Sequence, residues 1–208
     1  MLYSRVKIVT LVVIFILKIN AQNIYFNHLT VENGLSNNDV NTLIQDDKGF
    51  IWFGTEDGLN RYDGYNFKIF RNDPYDTNSL SGNAVWSLME DRKGFIWVGT
   101  VDGILNQFDP VSEKFIRHDF AGNDKKYSSV TTLFEDSKGN IWIGTRGRGV
   151  FKFNPKSKQI LHFNRDRKDS LSLSHQSVRA ITEDSFGNII IGTYQGLNKF
   201  FPKQIQLK

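Results

Sequence analysis

The chain contains no cysteine among its 208 residues, which excludes disulfide bonds, thiol catalysis and cysteine-ligated metal. It also lacks an apolar run of membrane-spanning length, since the longest such run, 8–17, is about half of what a spanning helix needs. The formal charge of +4 is modest, and the Lys and Arg residues are scattered. Without a basic stripe, we expect no nucleic-acid partner for this segment.

The first 21 residues differ in composition from the rest. Arg5 and Lys7 precede the apolar run, and a small residue, Ala21, follows it. A basic flank, a short apolar core and a small residue before the cut are typical of an export signal. We therefore predict a signal peptide at 1–21 and a periplasmic location for the remainder. An uncleaved anchor, or a buried N-terminal helix or strand, remains an alternative.

One sequence pattern occurs four times along the chain. The segments read VNTLIQDDKGFIWFGTEDGLNRYD from Val40, VWSLMEDRKGFIWVGTVDGILNQFD from Val85, VTTLFEDSKGNIWIGTRGRGVFKFN from Val130 and VRAITEDSFGNIIIGTYQGLNKFF from Val178. Their first valines lie 45, 45 and 48 residues apart. A period of this length predicts a stack of similar structural units, here numbered 1 to 4.

Each unit divides into short strands separated by turn residues. In unit 1 the apolar and β-branched stretches are 40–45, 50–55, 59–63 and 66–70. Short strands punctuated by Asp and Gly predict antiparallel hairpins, and four strands in about 45 residues are typical of a propeller blade. We therefore predict an all-β fold for residues 22–208. It comprises four four-stranded antiparallel blades, starting near 40, 85, 130 and 178, in a partial or open β-propeller.

The residues that recur in every unit have structural explanations. An Asp stands three positions before a Gly in each unit, at Asp46, Asp91, Asp136 and Asp184. Such an Asp accepts backbone N–H bonds within a turn, and Gly tolerates positive φ. Calcium loops place oxygen ligands at alternate positions, but the residues two further on are Lys48, Lys93, Lys138 and Phe186. We therefore predict no metal and no cofactor. The recurring Trp52, Trp97 and Trp142 are predicted to pack blade against blade.

The shared pattern D-x-x-G-x-I-W-x-G-T-x-x-G-L-x-x-(F/Y)-D resembles the two-component regulator propeller repeat. The segments HLTVENGLSNNDV from His28 and GFIWFGTEDGLNRYDGYNF from Gly49 resemble the N-terminal region of hybrid sensor histidine kinases of Bacteroidetes. The resemblance implies an exported sensory region, with glycan fragments or another periplasmic ligand as the partner and a homodimer in the full-length context. It also implies further propeller blades or domains of the same or a related sensor as partners.

The parts that would make a kinase are not found in this sequence. The four histidines fall in strand or loop patterns rather than on a phosphoacceptor helix, and there is no Gly-rich ATP lid. We therefore expect a non-catalytic segment that is the opening part of a larger sensor. Rings in this family are typically larger than four blades, so we expect an open arc. Residues 23–30 resemble an outer strand, which would complete the last blade if the ring closed.

Positions that change between units are the candidates for function. The residue after the first valine and the residues after the Gly-Thr pair should lie on one edge of the propeller, opposite the Asp turns. The candidate ligand-binding residues there are Asn41, Glu56, Trp86, Arg146, Arg148, Arg179 and Tyr194. Aromatic rings and Arg side chains suit a neutral or anionic sugar, through stacking and forked hydrogen bonds. Ordinary surface or channel-filling side chains are the simpler interpretation.

Two other classes of function remain open. A propeller enzyme acting on glycans would need paired carboxylates around the scissile bond, for which Glu56, Asp57 and Asp102 are candidates, or a His or Tyr base. A protein-interaction scaffold would need neither a ligand site nor catalysis. We favour a ligand-sensing segment over both.

Overall fold

The computed structural model describes residues 25–120 and 129–201, so the predicted signal segment 1–21 lies outside the described residues. The described chain forms fifteen strands and one short 3-10 turn at Val31–Asn33. The strands are β1 (Val40–Gln45), β2 (Ile51–Thr55), β3 (Gly58–Tyr62), β4 (Phe67–Phe70), β5 (Val85–Glu90), β6 (Ile96–Thr100), β7 (Ile104–Asp109), β8 (Lys114–Asp119), β9 (Val130–Glu135), β10 (Ile141–Thr145), β11 (Val150–Phe153), β12 (Ile160–Phe163), β13 (Val178–Glu183), β14 (Ile189–Thr193) and β15 (Gly196–Phe200).

The strands form four antiparallel sheets, one for each sequence unit. Three sheets have four strands in chain order, β1 to β4, β5 to β8 and β9 to β12, while the fourth contains β13 to β15. The first strands of the sheets begin at Val40, Val85, Val130 and Val178, as predicted. The all-β prediction and the unit boundaries are thus confirmed, with three rather than four strands in unit 4 among the described residues.

The sheets stack in an open row. The inner strands pack in succession, β1 on β5, β5 on β9 and β9 on β13. We call the sheet surface that packs on the following unit the forward face, and the opposite surface the back face. The forward face of unit 4 and the back face of unit 1 carry exposed apolar side chains, among them Leu197 and Leu43. The predicted open arc is therefore confirmed for the residues described.

The N-terminal segment does not complete the last blade. Residues 25–30 form no strand, and β15 pairs only with β14. Instead, the Thr30 side chain accepts a hydrogen bond from the backbone N–H of Glu32, and the chain turns into Val31–Asn33. A strand is stable only where its backbone groups find partners, and these residues lie against no sheet edge. Residues 25–30 therefore do not supply the outer strand that a closed ring would need.

The three tryptophans pack unit against unit, as predicted. Each lies on the second strand of its sheet, is at most 1% exposed, and contacts a phenylalanine of the next unit edge to face. The centroid distances are 5.4 Å for Trp52–Phe108, 6.1 Å for Trp97–Phe153 and 5.3 Å for Trp142–Phe200. Large rings are thus buried at each of the three junctions, together with aliphatic side chains from both sheets.

The Asp turns hold these tryptophans in place. In unit 1, one oxygen of Asp46 accepts the backbone N–H groups of Lys48 (3.1 Å) and Phe50 (2.9 Å). Its other oxygen accepts the indole N–H of Trp52 at 2.8 Å. Units 2 and 3 repeat the indole bond at the same distance, through Asp91–Trp97 and Asp136–Trp142. The predicted turn role is confirmed, and the carboxylate has the additional role of satisfying a buried indole.

A second recurring contact joins neighbouring units at the edge of the sheets that carries the Asp turns, which we call the lower edge. A Glu at the end of an inner strand accepts the backbone N–H of the residue after the turn Asp of the preceding unit. The bonds are Asp47 N to Glu90 at 3.0 Å, Arg92 N to Glu135 at 2.9 Å and Ser137 N to Glu183 at 2.6 Å. The spacing of the units is thus fixed by both apolar packing and backbone hydrogen bonds.

Candidate functional site

The opposite edge, the upper edge, carries the candidate residues, and β-bulges position three of them. In unit 1, Val40 pairs with Thr55 and Thr42 with Gly54, so Asn41 has no partner in the ladder. The same shift in the other units leaves Trp86, Thr131 and Arg179 unpaired. A bulge redirects its extra side chain away from the regular alternation. The positions that vary between units are therefore those that the sheet leaves free.

Four candidate residues form one cluster across units 1 to 3. The Glu56 carboxylate accepts hydrogen bonds from Asn41 Nδ2 at 2.8 Å and from Trp86 Nε1 at 3.2 Å. The Arg146 guanidinium lies 5.8 Å from the centroid of the Trp86 ring. Trp86 is half-buried, whereas Asn41, Glu56 and Arg146 are exposed. We call this group the Trp86 cluster.

Two further candidates form a second cluster in unit 4. The Arg179 guanidinium lies 4.3 Å from the centroid of the Tyr194 ring, a distance typical of a cation–π contact. Tyr194 is 54% exposed, so its ring remains available to solvent. His175 contacts the ring edge on, with centroids 5.8 Å apart. We call these three residues the Tyr194 cluster.

Ser177 links the two clusters through the backbone. Its hydroxyl donates to the carbonyl oxygen of Arg146, and its own carbonyl accepts the backbone N–H of Tyr194 at 3.2 Å. Thr131, at the bulge between the clusters, donates its hydroxyl to the carbonyl oxygens of Gly144 (3.1 Å) and Val178 (2.8 Å). The upper edge is thus a continuous, hydrogen-bonded surface from unit 1 to unit 4.

Arg148 does not join either cluster. Its guanidinium donates to the carbonyl oxygen of Phe120 at 3.2 Å and lies 5.5 Å from the Phe151 ring. Its own carbonyl oxygen lies 2.6 Å from His162 Nε2, on an outer strand. The side chain therefore contacts the outer part of units 2 and 3. Of the seven candidate residues, the structure brings together Asn41, Glu56, Trp86 and Arg146 in one group, and Arg179 and Tyr194 in another.

Sequence reasoning missed His175 and the bulges. It treats histidines only as phosphoacceptors or catalytic bases, whereas His175 contacts the Tyr194 ring and accepts the backbone N–H of Ser177 at 3.0 Å. Position 175 corresponds to Gly82 of unit 2, and this change between units was a usable signal. The bulges leave no sequence signal comparable to a turn residue, because any residue type occupies the extra position.

The carboxylates at the upper edge are engaged by neighbouring groups. Glu56 is held by Asn41 and Trp86, and Asp57 forms an ion pair with Arg71 at 2.9 Å. Asp102 accepts the hydroxyl of Thr100 in a short hydrogen bond and also the backbone N–H of Ile104. Among the residues described, no group of three His, Asp or Glu side chains has the geometry of a metal site. The chemistry offered by this edge is stacking and hydrogen bonding.

A cavity of about 520 Å³ lies away from these clusters. Its lining includes Phe163 of unit 3 and Asn198 and Phe200 of unit 4, next to the free edge of β15. In unit 2 the corresponding place is taken by the outer strand β8, where Arg117 donates to the carbonyl oxygen of Ser79 at 3.0 Å. This cavity therefore corresponds to the place of an outer strand rather than to the upper-edge surface.

A stack of antiparallel sheets joined through their tryptophan faces is the fold of a β-propeller. Comparison with protein families identifies the repeat, because residues 34–57, 79–102, 125–147 and 172–195 match the model described as "two component regulator propeller". The chain belongs to this family of repeats and carries four of them.

Solved structures and a curated relative agree with this assignment. The extracellular domain of a putative hybrid two-component system from B. thetaiotaomicron is 26% identical and superposes with a TM-score of 0.73, covering 86% of this chain and 23% of that chain. Histidine kinase P4 of Formosa agariphila is 46% identical over 61 residues, which are 29% of this chain and 4% of the relative. The chain thus spans only a small part of the length of these proteins.

A more distant likeness concerns the fold alone. Virginiamycin B lyase from Staphylococcus aureus superposes with a TM-score of 0.61 at 14% identity, covering 88% of this chain and 62% of that chain. Within the described residues, no helix is both long and apolar enough to cross a membrane. The chain is similar in sequence and fold to the extracellular domain of a putative hybrid two-component system.

Proposed function

We propose that this chain is a periplasmic, ligand-sensing propeller segment of a hybrid two-component sensor and that it binds an oligosaccharide on its upper edge without transforming it. One observation carries the proposal. Two aromatic planes, Trp86 and Tyr194, stand on one continuous edge at positions that the repeat does not dictate, and each has an Arg guanidinium beside its ring.

This arrangement matches the chemistry of a sugar. The apolar face of a pyranose stacks on an aromatic ring, and Arg donates paired hydrogen bonds to a carboxylate or sulfate group. Glu56 and Asn41 add an acceptor and an amide beside Trp86. The edge therefore offers two stacking positions, one in unit 2 and one in unit 4. An oligosaccharide of at least two residues, neutral or anionic, is the ligand class that fits.

The proposed absence of catalysis has support from the same geometry. The carboxylates near the Trp86 cluster are engaged, Glu56 by Asn41 and Trp86, and Asp57 by Arg71. A glycosidase needs two carboxylates free to act on opposite sides of a glycosidic bond. We propose that the response to ligand lies in the longer protein, whose relatives include histidine kinases.

A glycan array followed by thermal-shift titration tests this function. We expect selected oligosaccharides to raise the melting temperature, because a ligand that binds only the folded state stabilises it by mass action. Trp86→Ala and Arg179→Ala should each abolish the shift, while Tyr65→Ala, an exposed aromatic in a turn of unit 1, should retain it.

Analysis of the glycan after incubation completes the experiment. Recovery of intact ligand supports a sensor, whereas cleaved or unsaturated products would show that the segment is an enzyme. An array with no bound glycan, or a thermal shift that survives both substitutions, would refute the assignment of the upper edge.

A further inference from the structure

A second cavity lies on the lower edge, between units 2 and 3. Its volume is about 320 Å³, and its lining includes four cationic side chains, Arg92, Lys93, Lys138 and Lys156. Both sheets that form it have four strands, and each packs against a neighbouring unit on both of its faces. The cavity therefore belongs to an inner junction of the row, and its shape does not depend on the outermost faces.

The lining also contains two carboxylates, and both are engaged. Asp91 accepts the indole N–H of Trp97 at 2.8 Å. Glu135 accepts the backbone N–H of Arg92 at 2.9 Å, and its Oε2 lies 3.9 Å from Arg92 Nε. The terminal nitrogens of Arg92 donate to two backbone carbonyl oxygens of unit 3, at 2.9 Å and 3.3 Å. The fork of this guanidinium is thus directed at the protein itself.

Three lysines of the lining stand without a counter-charge among the described residues. Lys93, Lys138 and Lys156 are exposed, and none of them forms an ion pair within residues 25–120 and 129–201. Two of them follow the Asp turns of units 2 and 3, and the third lies in the hairpin between β11 and β12. Like charges that line one cavity repel, and an anion placed between them removes that repulsion.

The junction of units 1 and 2 balances the corresponding charge within the protein. Lys48 occupies the position of Lys93 there, and the hairpin of unit 2 supplies Asp109 beside it. Hydrogen bonds from Val111 and Ser112, and then the charge of Lys48, lower the pKa of Asp109. At this first junction the lysine after the Asp turn therefore has a carboxylate as its neighbour.

The hairpin of unit 3 changes this charge while it keeps the turn. Asn154 and Lys156 stand where the hairpin of unit 2 has Asp109 and Val111. Asn154 Oδ1 accepts the backbone N–H two residues further on at 3.0 Å, and Asp109 Oδ1 does so at 2.9 Å. Arg92 adds a third change, since unit 1 has an Asp at that position. The turn does not require the added positive charge, which is explained instead by an anion bound between the units.

We propose that the cavity between units 2 and 3 binds a small molecule through a tetrahedral oxyanion, a sulfate or phosphate group, held by Lys93, Lys138 and Lys156. Each ammonium group is a compact charge with three donors, and the three come from two units, which suits a tetrahedral anion. A planar carboxylate is matched best by a forked guanidinium, but the fork of Arg92 is occupied. A volume of about 320 Å³ accommodates a group of monosaccharide size.

This site is separate from the surface proposed for an oligosaccharide. It lies on the lower edge, whereas the Trp86 and Tyr194 clusters lie on the upper edge, and it does not rest on the function proposed for them. Trp86→Ala and Arg179→Ala should therefore leave anion binding unchanged.

Isothermal titration calorimetry of the full chain, at low ionic strength and without sulfate or phosphate in the buffer, measures the binding. The probes are inorganic sulfate, inorganic phosphate, glucose sulfate and glucose phosphate, with glucose and glucuronate as the neutral and carboxylate comparisons. We expect the sulfate and phosphate compounds to bind, glucose to give no heat of binding and glucuronate to bind more weakly. Added sodium chloride should weaken the binding, because salt screens exposed charges. The relative affinities for the two sugar esters show which group the site prefers.

Two substitutions remove charges of the site, and a third is their matched control. Lys93→Gln and Lys156→Val should each weaken binding about tenfold or more, because each removes a hydrogen bond between charged groups. Lys156→Val introduces the residue that unit 2 has at this position. Lys48→Gln makes the same change as Lys93→Gln at the equivalent position of unit 1 and should bind like the wild type. All three lysines are exposed, so the melting temperature should stay unchanged.

Four results would overturn the proposal. The first is the absence of a binding heat with every sulfate and phosphate probe. The second is an affinity that Lys93→Gln and Lys156→Val leave unchanged, and the third is an equal loss in Lys48→Gln, which would show a general attraction of anions to a basic surface. The fourth is a loss of ester binding in Trp86→Ala or Arg179→Ala, which would locate the ester on the upper edge. Glucuronate bound as tightly as the esters would refute the assignment to a tetrahedral group.

Discussion

Asp136 allows a quantitative test of the turn that stabilises each unit. Its carboxylate is 3% exposed and accepts the backbone N–H groups of Lys138 (3.0 Å) and Asn140 (2.9 Å) and the indole N–H of Trp142 (2.8 Å). Burial raises the pKa of Asp136, but the bonds from Trp142 and Asn140 outweigh it and hold the pKa below its ordinary value.

Asp136→Ala should therefore destabilise the protein strongly. The substitution leaves the buried indole N–H of Trp142 without an acceptor, and a buried donor left unsatisfied costs about 1–3 kcal/mol. The loss of the two backbone bonds in the turn adds to this penalty, as hydrogen bonds to charged groups contribute about 1.5–3 kcal/mol each in favourable cases. Because these contributions are not additive, we expect a total loss of about 3–5 kcal/mol in the free energy of unfolding.

Unit 4 supplies the matched control. Asp184 accepts the same two kinds of backbone bond, from Phe186 and Asn188, but Ile190 replaces the tryptophan. Asp184→Ala should consequently cause a clearly smaller loss. Urea unfolding followed by far-ultraviolet circular dichroism measures both variants against the wild type. Equal losses of unfolding free energy at the two positions would refute the conclusion that the buried carboxylate acts mainly as the acceptor for the indole N–H.

Two further predictions concern pH. Burial, followed by the charge of Lys158, lowers the pKa of His118 to about 4, so the stability given by its neutral ring is lost as pH falls from 6.5 towards 4. His118→Phe keeps the contact with Trp97. In urea titrations, this variant should lose about 1–3 kcal/mol less of its free energy of unfolding than the wild type as the pH falls over that range. An unchanged pH profile would contradict the assignment. Burial, and then the hydrogen bond with the Asp47 side chain, raises the pKa of Glu90 to about 7. The contribution of the protonated side chain to the free energy of unfolding is therefore complete below pH 4.5 and is lost as the pH rises through 7. Glu90→Gln should lessen the difference in urea midpoint between about pH 5 and about pH 8, whereas an equal or larger difference in the variant would count against it.

The sequence predicted the repeating parts of the fold closely. The starts of all four inner strands, the Asp turns and the packing role of the tryptophans follow from residues that recur in register, such as Val85, Asp91 and Trp97. Comparison between units is informative because a residue that recurs at one position has the same structural role in each unit. Residues 25–30 have strand-like composition but form no strand, because strand pairing depends on an available edge.

Sequence reasoning selected the candidate residues but did not predict their arrangement. Variation between units selected Trp86, Arg146, Arg179 and Tyr194, and the structure brings them together in pairs. It did not indicate that Arg148 contacts Phe120, because both residues stand near strand ends and their distance depends on how units 2 and 3 pack. Side-chain direction at a hairpin depends on the local backbone, which residue type alone does not determine.

The sequence by itself determined the number of units, their all-β character and the identity of the repeat. These features are local, since turn residues and strand alternation act within about ten residues of chain. Only the tertiary structure decided which side chains share a surface. The contacts of Asn41 with Val85 and of Thr131 with Val178 arise from the packing of one sheet on the next. Such packing joins residues some 45 positions apart, a separation at which local residue patterns carry no information about contact.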